Sequence, residues 1–307
     1  MPAGTMGGME TTGNDQQIPA PGAAAAFALT LHDTPGAHIG RAPVPVLAHE
    51  PGASLRERRE SFREVYGAIV ARIGEPTLYG GSAHGPSVRW RDAHRTVLLA
   101  GDRAGARLSV HGTEALEADE LRVFAWGGAW SAEEPHDFDL LPYIWQLDRG
   151  GPGERPAERT AGRMASSLEH FGHALELMLT AWVEQLPAQV GTDWAGFALT
   201  SGADRGREVQ LSYALADGLH VGVDDRDGED TPERAALMRA RGWHSRDRGW
   251  WQTEFPHPER PETARAARLA LTELRARGTT DPKELRARDA SCKDRGELLL
   301  PGLGIRN

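Results

Sequence analysis

The chain has 307 residues, enough for two domains of ordinary size, and 39% hydrophobic with 26% charged residues is a globular balance. A formal charge of −9 argues against nucleic acid as a partner, because an acidic surface repels a phosphate backbone. The single cysteine excludes an intrachain disulfide; the apolar run 23–31 is too short for a membrane span and follows Glu10 and Asp15 instead of a basic leader, so a cytoplasmic protein is expected.

Residues 1–50 are rich in Gly, Ala, Pro and Thr without a sustained period, and such a segment is expected to be disordered. A first α+β domain is expected over 51–150. Ser54 suits a helix cap, and Leu55, Phe62, Val65, Tyr66, Ile69 and Ile73 then line one side until Gly74. Strand-like runs follow at 87–91, 96–100, 107–110 and 123–126, then an aromatic segment at 140–145. Gly, Pro, Arg and Glu dominate 148–162, which reads as the boundary.

The second domain is expected over 160–291, with 292–307 as a tail. Met164, Leu168, Phe171, Leu175, Met178, Leu179, Trp182 and Leu186 recur at spacings of three and four, the strongest helical pattern in the chain. Strand patterns follow at 194–200, 208–215 and 219–223, the last two joined by the hairpin turn Ala216-Asp217-Gly218. Thr231 and Pro232 open a helix that Gly242 closes; 250–255 reads as a strand and 261–277 as a final helix. Helix, three strands, helix, strand, helix predicts an α+β fold, an antiparallel sheet covered by helices, in each of two domains. The first half repeats this order less completely, compatible with a distant duplication.

Few residues carry chemistry at a useful spacing. His170 and His173, with Glu169 and Glu176, share a helix face but have no second ligand group beside them, so they read as solvated surface. The acidic run 224–230 resembles a calcium loop, yet aligning Gly228 with the loop glycine puts Val223 and Arg234 at ligand positions, and a solvated connection fits better. The glycine-rich stretch 80–85 leads into a strand and lacks the phosphate-cradling pattern. Cys292, in a polar setting, reads as a surface thiol. No catalytic, cofactor or metal residue is assigned.

The nine tryptophans are more informative. Trp90, Trp145, Trp182 and Trp194 lie in amphipathic elements and are expected in the core, whereas Trp126, Trp130, Trp243, Trp250 and Trp251 sit at element ends or in pairs. Neighbouring strand residues point to opposite faces, so Trp250 and Trp251 cannot both enter one core. Trp243, Trp250 and Trp251 are the expected partner-binding residues, since aromatics anchor protein interfaces.

The long helix, the strands around Val209-Gln210-Leu211 and Gly218-Leu219-His220-Val221, the Arg241-Gly242-Trp243 corner, Trp250-Trp251, and Asp281-Pro282 with Leu285 resemble the type III secretion chaperone-like (TY-Chap) domains common in actinobacteria. The first half, through Gly80-Gly81-Ser82, Val88-Arg89-Trp90-Arg91 and Leu141-Pro142-Tyr143-Ile144-Trp145, resembles an uncharacterised actinobacterial domain. The resemblance implies a cytoplasmic, non-enzymatic module, secretion-chaperone-like or immunity-type, that binds another protein and neither nucleic acid nor membrane; a homo-oligomer is compatible with it. The alternative expectation is a hydrolase using His and acidic residues of the second domain.

Overall fold

Capping chemistry sets the helix ends. In α2 (Leu55–Ile73) the Glu57 amide donates to the Ser54 hydroxyl at 3.3 Å and the Ser54 amide donates back to the Glu57 carboxylate at 2.7 Å; Gly74, at φ 88°, ends the helix. Ser167 caps α4 (Leu168–Val190), and Thr231 with Pro232 opens α5 (Pro232–Ala240). The computed structural model of the chain describes residues 20–126, 141–148, 165–204, 207–228, 230–292 and 296–306.

The first half contributes α1 (Pro21–Asp33), β1 (Val44–Ala48), β2 (Leu78–Gly81), β3 (Pro86–Arg91), β4 (Arg95–Gly101), β5 (Gly105–Gly112), α3 (Thr113–Trp126) and β6 (Trp145–Asp148). The second contributes β7 (Trp194–Ser201), β8 (Glu208–Ala214), β9 (Gly218–Asp224), β10 (Ser245–Asp247), β11 (Trp250–Phe255), α6 (Arg260–Ala276), β12 (Leu285–Cys292) and β13 (Glu297–Leu299). In place of two separate sheets, the described strands form one sheet in the order β1-β5-β4-β3-β2-β6-β13-β12-β7-β8-β9-β11-β10. The named pairings are antiparallel, as expected. Most buried apolar residues of the two halves form one continuous cluster, and Phe124, Leu141 and Tyr143 form a small second one.

Each half follows the same path. A long helix (α2 or α4) leads into a meander that moves outward, interrupted in the second half by α5 and β10. Another helix follows (α3 or α6), and a return strand pairs on the inner side of the first strand: β6 beside β2, β12 beside β7. β13 lies between the two return strands and joins the halves.

The halves differ in where the second helix goes. On β3 the alternation sends Val88 and Trp90 into the core and Arg89 and Arg91 to the opposite face. There α3 covers the sheet: Arg89 grips Glu120 at 2.6 and 2.9 Å, and Arg91 reaches Glu117. In the second half α6 packs beside α4 on the core face, where Gly172 admits the Leu271 side chain.

Helix α4 belongs to both halves. The Gln185 side-chain amide donates to the Ser82 carbonyl at 2.8 Å, and that of Gln189 to the Gly80 and Ser87 carbonyls at 2.8 and 2.9 Å. Pro187 has no amide hydrogen to offer the Val183 carbonyl. Arg59 of α2 donates to that carbonyl and, at 3.1 Å, to that of Glu184; Arg63 donates to the Pro187 carbonyl at 3.0 Å.

Three sequence expectations need correction. Part of the segment expected to be disordered, 1–50, is ordered: Ala24, Ala28 and Leu31 of α1 pack into the core, and β1 forms an edge strand. The run 123–126, read as a strand, is the last turn of α3, whose polar residues hid its helical period. The 292–307 tail contains β13, and Leu298, Leu300 and Leu303 are buried. Residues 1–19 and the boundary segment beyond Asp148 lie outside the described residues.

Candidate functional site

The sequence candidates resolve into packing groups. Trp243 and Trp251 are core residues, corrected from partner-binding positions: the Trp243 indole donates to Glu273 at 3.2 Å and the Trp251 indole to Asp225 at 3.1 Å. A buried indole needs an acceptor for its N–H, and both acceptors come from the corner where β9, α5, β11 and α6 meet. Trp250 takes the opposite face, half-buried, with the Arg226 guanidinium 5.8 Å from the centre of its ring. The pair therefore divides as strand alternation requires. Trp130 lies outside the described residues.

The start of the acidic run, Asp224 and Asp225, is a buried ionic knot, whereas Asp227 and Asp230 are exposed as a solvated connection would have them. Asp225 is fully buried and bound by Arg234 at 2.6 Å; Asp224 is gripped by Arg226 at 2.6 Å. Arg277 bridges Asp204, Glu273 and the Asp224 carbonyl at 3.0, 2.9 and 2.6 Å. Burial pushes the Asp225 carboxyl upward, but the hydrogen bond and charge of Arg234, with the Trp251 indole, outweigh it and hold the group below the usual carboxylate range. The Arg226 hydrogen bond holds Asp224 low as well, against the opposing effect of burial. With the carboxylates of Asp204, Asp224, Asp225 and Glu273 all engaged, this corner ties β9 and β11 to α5 and α6.

His170, expected on a solvated surface, is buried, its Nδ1 accepting from the Ser166 amide at 3.0 Å. His173 and Glu176 line a shallow hollow beside Thr180 and Arg260. Among the described residues no group of three or more His, Cys, Asp or Glu side chains is arranged to hold a metal. Cys292, expected as a surface thiol, is buried at the end of β12. The glycines at 80 and 81 lie where α4 presses on β2: a Cβ on Gly81 would meet Trp145 Nε1 at 2.2 Å.

The feature best suited to a ligand was not among the candidates. Alternation on the second-half strands sends Phe197, Leu199, Leu211, Tyr213, Val221 and Trp251 into the core, and Gly196, Ala198, Gln210, Ser212, His220, Trp250 and Gln252 to the outer face. The small residues of β7 form the floor of a groove of about 460 Å³ that β8 and β12 also line, through Gln210, Ser212, Asp289 and Ser291. Trp194 stands at one end, 41% exposed, its ring 3.5 Å from where a Cβ on Gly196 would lie. On the far side His220 Nε2 and Gln252 Oε1 share a hydrogen bond of 2.9 Å, and Trp250 closes over Gly222. Trp194 was expected in the core, but it shares its strand phase with Gly196 and Ala198, not with Phe197 and Leu199. That phase was the available signal.

No helix of the described residues is long and apolar enough to cross a membrane. No family model, curated protein or solved structure matches the chain.

Proposed function

We propose that the chain is a polypeptide-binding module whose second half receives its partner on the outer face of β12, β7, β8, β9 and β11. One observation carries this reading. The two halves trace the same path, yet the outer face that α3 covers in the first half has no helix over it in the second among the described residues. What lies there combines an exposed tryptophan, a floor of small residues and a rim of hydrogen-bonding side chains. Aromatic anchors beside a groove are a usual means of holding an extended or helical peptide. The secretion-chaperone-like or immunity-type assignment rests on the sequence resemblance, and the partner is the ligand that this resemblance implies.

Placing a photo-crosslinker at Gln210 in the native host tests the proposal, with the same probe at Arg268, exposed on the opposite side, as the control. A discrete polypeptide adduct at Gln210 alone, lost on Trp194→Ala, is the expected outcome. Equal or absent adducts at both positions would remove this face as the binding surface.

A further inference from the structure

On the helical side, the start of α2, the β4–β5 turn and the C-terminal part of α4 enclose a second, smaller cleft lined by His49, Arg58, Arg59, Arg103, Asp102 and Glu184. Its volume is about 50 Å³, the scale of one small polyatomic ion.

The charges in it are unevenly matched. Elsewhere the buried arginines meet carboxylates: Arg89 has Glu120, Arg91 has Glu117, and Arg277 has Asp204 and Glu273. In the cleft, Arg59 spends its hydrogen bonds on the Val183 and Glu184 carbonyls. The Arg58 Nε is shut away from solvent and has no acceptor among the described residues. Both carboxylates of the cleft are engaged elsewhere, and neither hydrogen-bonds Arg58. Glu184 is held by Arg260 at 3.1 Å, and Asp102 closes its own turn, accepting from the Ala104 and Gly105 amides at 2.7 and 2.9 Å. Burial and, less strongly, the nearby Arg58 charge push the His49 pKa down against the opposing effect of Asp102.

A buried guanidinium N–H without an acceptor is costly, and a planar guanidinium is built to grip an oxyanion by two parallel bonds. We propose that this cleft binds a phosphate group, free or carried as a monoester on a small molecule, with Arg58 as its principal donor and His49 beside it. The outer-face groove is not involved, so the two readings stand or fall separately.

Titrating the full chain with inorganic phosphate and with phenyl phosphate at fixed ionic strength tests the proposal, following imidazole resonances by NMR. The His49 resonance is expected to move while that of His220, on the opposite face, stays put. Arg58→Gln, at a half-buried position, is expected to weaken binding at least about tenfold through loss of a charge-assisted pair. Tighter binding of phenyl phosphate identifies an esterified ligand, and tighter binding of inorganic phosphate a free one; either supports the proposal. A His49 resonance indifferent to both probes, unchanged affinity in Arg58→Gln, or acetate binding as well as phosphate would overturn it.

Discussion

Asp225 shows how a single buried charge is made tolerable. Its carboxylate is wholly shielded, yet Arg234 and the Trp251 indole satisfy it from two elements. Removing one member of such a group strands the others, so Asp225→Asn is expected to cost about 3 kcal/mol in a urea titration. The pH dependence follows from the same contacts. Asp224 and Asp225 are both held below the ordinary carboxylate range. Their stabilising contribution is complete above the unfolded-state value of about 3.9 and is lost as pH falls through it toward the lower folded value. The urea midpoint should therefore drop between about pH 5 and pH 3 in the native chain, and less steeply in Asp225→Asn; parallel slopes would assign the acid sensitivity elsewhere. Sequence reading saw the charges here but could not see their partners. Arg234 is nine residues away and Trp251 twenty-six, and only the fold brings them together.

At the scale of elements, α4 was legible because its burial is strong and periodic, although it runs past Pro187 to Val190 and its capping Ser167 and closing Gly191 were not read from the sequence. Strands β8 and β11 were legible through a clean alternation with one buried face, whereas β2, buried throughout and half glycine, was not read as a strand. What escaped was held by something other than an apolar stripe. Helix α3 docks partly through Arg–Glu pairs, α1 packs through alanines, and β10 and β13 are three residues long. Pro187 within α4 belongs to this class, since the carbonyl it leaves unmatched is met by side chains from other elements, Arg59 of α2 and Tyr213 of β8. Arg59→Leu should cost about 1–3 kcal/mol by removing its bonds to the Val183 and Glu184 carbonyls, the former keeping only the Tyr213 hydroxyl at 3.5 Å. In a Pro187→Ala background the alanine amide can restore the helical bond to Val183, so the same change should cost less. Purely additive effects in that double-mutant cycle would show that Arg59 does not stand in for the missing amide.

For the whole molecule, the shared sheet and core bear on where the chain can be cut. A chain starting at Pro51 loses α1 and β1, and with them Ala24, Ala28, Leu31 and Val46 from the core. Its thermal midpoint should fall by more than about 5 °C, the scale expected when several kcal/mol are lost from a chain of this size; an unchanged midpoint would mean those residues contribute nothing. At the other end, β13 contacts β6 through Leu298 and Leu147 and contacts β12 at Ser291. A chain ending at Cys292 should leave the inner edges of both halves bare and self-associate, seen as a concentration-dependent rise in light scattering. A strictly monomeric truncation would show those edges satisfied in another way. The position of β13 also has a temporal meaning. It follows in sequence everything it joins, so during synthesis both return strands wait with open edges until residues 297–299 leave the ribosome. The interval before that closure is when the nascent chain is most exposed to pairing with the wrong strand.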